Sequence, residues 1–161
     1  MKIGIISDTH DHVDNIRKVI DKMKKYEVEA IIHCGDFCSP FAVEMMKEFN
    51  VPVHAVFGNV DGDKFRMLMK KPENVTLHGE FVEIELGGKK IAIVHFPEIA
   101  KALAFGGKYD LVCYGHTHVS NVEKIENTLL VNPGELMNLK GLPSYAIYDT
   151  ISNEVKIMKL S

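Results

Sequence analysis

Short apolar runs alternate with helical patterns in the first half of the chain, and this alternation constrains the fold more than any other feature. The runs are Ile3–Ile6, Ala30–Ile32 and Val51–Phe57. A helix is predicted over Val13–Lys25, where apolar residues recur at helical spacing. Another is predicted from Pro40, with Ser39 as its N-cap and an apolar stripe of Phe41, Val43, Met45, Met46 and Phe49. Apolar strands joined by helices indicate a parallel sheet buried on both faces.

The second half is richer in strands. Phe81–Leu86 alternates apolar and acidic residues, and Gly87-Gly88 predicts a hairpin into Lys90–Val94. A short helix is predicted around Glu98–Phe105, ending at Gly106-Gly107. The remaining predicted strands are Leu111–Tyr114, Asn121–Ile125, Leu129–Val131, Tyr145–Tyr148 and Val155–Met158. The simplest architecture is α/β, with two packed sheets, an antiparallel portion and helices outside.

Size and composition predict one soluble domain over residues 1–161, since no linker or repeat marks a boundary. No apolar run approaches the roughly 20 residues that cross a bilayer, and MKIGIISDTH resembles a first strand more than a signal peptide. The expected location is therefore the cytoplasm. The net charge is −3 with scattered basic residues, which argues against a nucleic acid or a membrane as partner.

Three cysteines, Cys34, Cys38 and Cys113, are an odd number and suit a reducing compartment. Cys34 and Cys38 are four positions apart, but no second cysteine pair follows them. A structural zinc site is therefore disfavoured.

Five predicted strands end in side chains that can bind a cation. In chain order these ends are Asp8-Thr9-His10, Gly35-Asp36, Gly58-Asn59, His95 and Gly115-His116-Thr117-His118. Ligands of open α/β sheets lie at this edge of the strands. The mixture of carboxylate, amide and imidazole suits Mn²⁺, Fe²⁺, Co²⁺, Ni²⁺ or Zn²⁺. Seven ligands exceed one tetrahedral centre, whereas two cations about 3.5–4 Å apart, bridged by a carboxylate, would use all of them.

The other four histidines are interpreted differently. His33 and His54 lie in or at the end of strands and His78 lies in a loop, so these three are predicted to be structural. His12 lies two residues beyond His10, which leaves open whether it reaches the substrate.

The ordered set of strand-end residues resembles the calcineurin-like metallophosphoesterase superfamily. Gly58-Asn59-Val60-Asp61-Gly62 and Asn132-Pro133-Gly134 resemble its small bacterial and archaeal phosphodiesterase branch. The resemblance implies a four-layer α/β/β/α sandwich of two mixed sheets flanked by helices. It also implies two divalent metal ions, manganese first, with nickel, cobalt, iron and zinc as alternatives.

By that resemblance, the first metal is held by Asp8, His10, Asp36 and His118, and the second by Asp36, Asn59, His95 and His116, with Asp36 bridging. A hydroxide shared by both cations would attack phosphorus in line. Among these ligands, Asp36, Asn59 and His116 are expected to be the most directly catalytic.

Two positions depart from the family pattern. The larger superfamily usually has His after the metal-binding Asn, where it can protonate the leaving group, and this chain has Val60. Asp61 is a candidate substitute, although a turn role or a role behind the ligands is favoured for it. The branch often reads His-Gly-His where this chain has His95-Phe96-Pro97, which predicts a stiffer, more apolar rim.

The sequence therefore predicts a hydrolase of phosphoric esters, a phosphodiesterase with phosphomonoesterase activity left open. Its partner would be a small phosphoester substrate, and homo-oligomerisation is left open. The alternative is a scaffold protein of the same fold, like the retromer subunit that also resembles the small branch. Completeness of the seven ligands favours the enzyme. A nuclease is disfavoured because no basic groove is evident.

Overall fold

The computed structural model describes residues 1–161, which form two mixed β-sheets and four α-helices. The strands are β1 (Lys2–Ile6), β2 (Ala30–His33), β3 (Val53–Ala55), β4 (Val75–Leu77), β5 (Phe81–Leu86), β6 (Lys89–Val94), β7 (Leu111–Cys113), β8 (Asn121–Ile125), β9 (Thr128–Asn132), β10 (Ser144–Asp149) and β11 (Glu154–Lys159). The helices are α1 (Val13–Lys25), α2 (Pro40–Met45), α3 (Lys64–Lys70) and α4 (Pro97–Phe105), and a 3₁₀ turn over Met46–Phe49 follows α2. No helix combines the length and apolar character that crossing a membrane requires.

Strand order brings the chemically active strand ends to one edge. The first sheet has the order β11-β10-β1-β2-β3-β4, in which β1 to β4 are parallel, β10 is antiparallel to β1, and β11 is antiparallel to β10. The second has the order β5-β6-β7-β9-β8, in which β6, β7 and β9 are parallel. Because parallel strands end at the same edge, the residues after β1, β2 and β3 are neighbours, as are those after β6 and β7.

Three apolar interfaces separate four layers. α1 packs on the first sheet through buried residues such as Ile16, Ile20 and Met23. The two sheets face each other across a second cluster that includes Ile5 and Ile93. Small residues of α4, Ala100 and Ala104, meet Ala92 and Val94 of the second sheet in a third cluster. The predicted α/β/β/α sandwich is therefore confirmed.

The prediction for the segment around α2 was wrong in one detail. Phe41 is 52% exposed, whereas the rest of its predicted stripe is buried. Ser39 does occupy the N-cap of α2, but its hydroxyl donates to Asp11 at 2.7 Å instead of accepting from the helix. The predicted N-cap position is therefore confirmed, and the Asp11 carboxylate is the charged acceptor that orients the Ser39 hydroxyl.

Two elements, α3 and β4, were not predicted. The α3 segment is apolar on several sides, with Phe65, Leu68 and Met69 exposed and Met67 buried, so no single stripe marks it as a helix. β4 has three residues, which is too short for a clear alternation.

Candidate metal centre

All seven predicted ligands converge at the shared edge of the two sheets. Backbone hydrogen bonds fasten their loops together: the amide of Asp8 donates to the carbonyl of Gly35 at 3.0 Å, and that of Gly115 to the carbonyl of His95 at 3.1 Å. The amide of His116 donates to Asp8 Oδ2, also at 3.1 Å. Residues 108 positions apart in the sequence are thus held in direct contact.

One half of the cluster contains Asp8, His10, Asp36 and His118. Their nearest ligand atoms all lie within 4.8 Å of one another. His10 Nε2 is 3.8 Å from Asp8 Oδ1 and 3.5 Å from Asp36 Oδ2. His118 Nε2 is 3.3 Å from Asp8 Oδ1. Two carboxylates and two imidazoles therefore point at one volume, as the ligands of a divalent cation do.

The other half continues from the same carboxylate oxygen. Asp36 Oδ2 is 3.3 Å from His95 Nε2, which is 3.0 Å from Asn59 Oδ1. That amide oxygen is in turn 2.8 Å from His116 Nδ1. Asp36 Oδ2 thus lies within 3.5 Å of an imidazole nitrogen in each half. This is the position that a bridging carboxylate needs.

Unpaired buried atoms show that a cation fits the first half. Asp8 Oδ1 and His10 Nε2 are both buried without a hydrogen-bond partner. Leaving such groups unpaired costs about 1–3 kcal/mol each, and more for a charged group. Both are good ligands for a divalent cation, and one ion between them would satisfy both.

The site's charges support each other in the metal-free protein. Asp36, and then Asp8, raise the pKa of His10 to about 9, because two carboxylates favour the protonated ring. Burial acts to raise the pKa of Asp36, but His10, His95 and the Val60 amide outweigh it and hold that pKa well below its usual range. Burial likewise opposes the charged form of His95, yet Asp36 raises its pKa overall. Positive charge is thus favoured at the point where the donors meet.

Five of the seven predicted ligands adopt the left-handed backbone conformation: Asp8, His10, Asp36, His116 and His118 have φ between 41° and 67°. Non-glycine residues rarely adopt it, and such backbone strain clusters at functional sites.

Close approach of the loops explains two glycines that precede ligands. A Cβ atom on Gly58 would lie 2.1 Å from Asp36 Oδ1, and one on Gly115 would lie 2.0 Å from the Ser7 hydroxyl. Both distances are far inside van der Waals contact, so no side chain can stand there without moving the loops.

Glu135 is a site residue that the sequence analysis missed. It is buried, and its Oε2 lies 2.7 Å from His118 Nδ1. Its Oε1 accepts from the amides of Lys140 and Gly141. A carboxylate behind a ligating histidine fixes the ring and makes its other nitrogen a better ligand. Its position after Asn132-Pro133-Gly134 was the available signal. Asn132 itself donates to the carbonyl of Gly115 at 2.9 Å and so supports the loop that carries His116 and His118.

Asp61 joins the loop of Asp36 to the loop of Asn59. Its Oδ2 accepts from the amides of Asp36 and Gly58, at 3.0 and 2.7 Å. Its Oδ1 accepts from the amides of Phe37 and Cys38, at 2.7 and 2.9 Å. Four backbone donors occupy both oxygens, which confirms the favoured role behind the ligands.

The histidines outside the cluster have internal partners. His33 Nδ1 accepts from the Gly35 amide, so its Nε2 donates to the Thr9 hydroxyl 3.2 Å away. His54 Nδ1 lies 3.1 Å from His78 Nε2. The structural interpretation of all three is confirmed. His12 caps α1, where its Nδ1 accepts from the Asn15 amide at 3.4 Å.

The cysteines do not form a metal site of their own. Cys34 is buried between the two sheets in the same apolar cluster as Cys113. Cys38 lies instead beside the predicted metal ligands, with its sulfur 3.4 Å from His10 Nδ1. Burial raises the pKa of the Cys38 thiol to about 11, which keeps it protonated near neutrality.

Known proteins resemble this chain along almost its whole length. The family model described as the calcineurin-like phosphoesterase superfamily domain matches residues 1–153. Phosphodiesterase MJ0936 of Methanocaldococcus jannaschii is 38% identical over 161 residues, covering 97% of each chain. A solved archaeal phosphodiesterase superposes with a TM-score of 0.92 at 36% identity, covering 99% of this chain and 100% of that one.

A more distant likeness concerns the fold alone. Wild-type Vps29 of Entamoeba histolytica, solved with Zn²⁺, has a TM-score of 0.69 at 16% identity and covers 99% of this chain and 98% of its own. The family match, the full-length relative and the convergent ligands agree. This chain belongs to the calcineurin-like phosphoesterase superfamily and is a phosphoester hydrolase.

Proposed function

We propose that the chain hydrolyses small phosphodiesters with two divalent cations bound in the seven-residue cluster. The observation that carries this proposal is the position of Asp36 Oδ2 between two groups of donors. Its second oxygen accepts from the Val60 amide at 3.0 Å, which leaves Oδ2 free to serve both cations. The 38% identity to a phosphodiesterase supports the same reaction class.

In this proposal Asp8, His10, Asp36 and His118 hold the first cation, and Asp36, Asn59, His95 and His116 hold the second. When bound, such a pair supplies a hydroxide for in-line attack on phosphorus and neutralises charge on the phosphoryl oxygens. The protein's part is to hold the donors in place. Glu135 fixes the ring of His118, and the carbonyl of Cys34 fixes the ring of His95 through Nδ1, 2.7 Å away. Manganese is the first cation to test, followed by nickel, cobalt, iron and zinc.

Departure of the leaving group receives little help from this site. Val60 stands where a general acid is found in other family members, and it carries no proton to give. The oxygens of Asp61, the candidate substitute, are occupied by backbone donors. Esters with activated leaving groups are therefore the best substrates. Phosphomonoesters, which carry more negative charge, are expected to react more slowly.

Completeness of the cluster favours an enzyme over a scaffold. A scaffold does not need buried ligand atoms without hydrogen-bond partners, such as Asp8 Oδ1 and His10 Nε2. We also propose a small phosphoester as the substrate and a cytoplasmic location. The net charge of −3 supports a partner other than nucleic acid or a membrane.

The test starts from metal-stripped protein. Mn²⁺, Ni²⁺, Co²⁺, Fe²⁺ and Zn²⁺ are added back singly, and hydrolysis of bis(4-nitrophenyl) phosphate and 4-nitrophenyl phosphate is measured. Elemental analysis counts the metals bound per chain. Two equivalents of metal and preferential hydrolysis of the diester are expected. If none of the five metals supported hydrolysis at any pH, the proposal would be contradicted.

Variants then assign the ligands. Asp36→Asn should lose most activity and weaken both sites, whereas His118→Ala and His95→Ala should each retain about one equivalent. Asp21→Asn, the same change on the exposed face of α1, is the matched control and should behave as the wild type. Tight binding of two equivalents by Asp36→Asn would show that this residue is not the bridge.

A further inference from the structure

Three predicted ligands are each followed directly by an accessible apolar residue. Val60 follows Asn59, Phe96 follows His95 and Val119 follows His118. Val60 is 38% exposed, Val119 is 58% exposed, and Phe96 is half-buried. Consecutive Cα atoms are about 3.8 Å apart, so all three residues lie beside the cluster. We call these three residues the apolar rim.

Phe96 lies against the half of the cluster that contains Asn59, His95 and His116. Its ring centroid is 5.0 Å from that of His116 and 5.2 Å from that of His95. The ring meets His95 edge-on, at 77°, and is tilted by 59° to His116. Asn59 is exposed and His116 is half-buried, so solvent reaches the cluster on the side where Phe96 stands.

The backbone of Phe96 is restricted, and its ring packs against the rings of His95 and His116. Phe96 is the N-cap of α4 in an extended conformation, and Pro97 begins the helix with a fixed φ. A ring that is already oriented loses little conformational entropy when a second ring packs against it. An accessible, preorganised aromatic ring next to a phosphoryl site suits a flat apolar group better than a charged or flexible one.

We propose that the apolar rim, and Phe96 above all, makes this site selective for phosphoesters that carry a planar aromatic group, either an aryl ring or a nucleobase. This inference rests on the proposed phosphoesterase function and adds a substrate class to it. Aromatic pairs contribute about 0.5–1.5 kcal/mol beyond the area they bury. At about 1.4 kcal/mol per tenfold, that corresponds to about 2- to 10-fold in affinity.

The experiment measures binding without turnover. Phenylphosphonate, methylphosphonate and an acyclic adenine phosphonate are titrated calorimetrically into the full chain loaded with Mn²⁺. Wild type should bind at least one aromatic phosphonate about 2- to 10-fold more tightly than methylphosphonate. Whichever aromatic ligand binds more tightly identifies an aryl or a nucleobase substrate.

Three variants locate the preference. Phe96→Ala should bring the ratio of methyl to aromatic dissociation constants close to one. Phe96→Leu keeps most of the apolar volume without a flat face, so it should also lower the ratio, and it serves if Phe96→Ala folds poorly. Phe105→Ala removes an exposed ring at the far end of α4 and should leave the ratio unchanged.

The outcomes separate this inference from the proposed function. A ratio near one in the wild type, or a high ratio that survives both Phe96 substitutions, would overturn the role of Phe96 while leaving the phosphoesterase proposal intact. If no phosphonate binds the metal-loaded protein, the phosphoryl site itself is wrong and the inference falls with it.

Discussion

Replacement of Asp61 by Asn tests whether one carboxylate holds two ligand loops together. The substitution keeps the size of the side chain but turns one acceptor oxygen into an NH₂ donor. Each oxygen of Asp61 accepts from two backbone amides. In either orientation of the Asn side chain, its NH₂ group would replace one of these oxygens, and two backbone N–H groups would lose their acceptor. A buried donor left unpaired costs about 1–3 kcal/mol, which gives about 2–6 kcal/mol for the two.

The measurement is urea unfolding of metal-free protein, which separates the loss of hydrogen bonds from any loss of metal binding. Asp63→Asn is the matched control. Asp63 is the N-cap of α3 and accepts from the Arg66 amide at 3.0 Å, a role that Asn fills about equally well. The free energy of unfolding of Asp63→Asn should therefore stay within about 0.5 kcal/mol of wild type. A loss below about 1 kcal/mol for Asp61→Asn would refute the reasoning, because it would mean that the four donors find other acceptors.

Two further predictions concern the leaving group and the response to acid. Val60→His should flatten the dependence of the rate on leaving-group pKa across a series of aryl phosphodiesters, with the gain confined to poor leaving groups; a shallow slope in wild type would instead show that an acid is already present. Burial lowers the pKa of His33 from 6.5 to about 3. The unfolded state therefore takes up a proton that the folded state refuses between those values, and stability should fall by about 1.4 kcal/mol per pH unit as the pH drops through this window. The free energy of unfolding is measured at pH 6.5, 5.5 and 4.5, and in His33→Gln it should fall less with decreasing pH than in wild type. An equal pH dependence in both proteins would contradict the prediction.

The ligands were predictable because parallel strands bring their ends together. Each ligand or ligand pair follows a short apolar run, so the pattern could be read one strand at a time without knowing the contacts. Helix α1, whose apolar stripe is buried, and the hairpin at Gly87-Gly88 were also predictable from local patterns. Bounds at strand ends shifted by a residue or two, as in β3, because backbone pairing and not apolarity decides where a strand stops.

A role behind the ligands was favoured for Asp61, but neither its hydrogen-bond partners nor Glu135 could be predicted in the same way. Glu135 meets His118 across 17 positions, and Asp61 meets the amide of Asp36 across 25. Neither partner is marked by local periodicity. The hydrogen bond of the Ser39 hydroxyl is a similar case, because the carboxylate that accepts from it, Asp11, lies 28 positions away. The single-domain boundaries, the metal identity and the ligand roles stay predictions until they are measured.

The left-handed backbone of five ligands has an evolutionary consequence. Each such residue stores strain of order 1–3 kcal/mol that glycine would not. Glycine in place of His10 would relieve this backbone strain but would remove a ligand. Backbone stability therefore gives no reason for a side chain at such a position, whereas cation binding does. Laboratory evolution for heat resistance alone should therefore substitute these five ligands first and leave the residues of the sandwich beneath them unchanged.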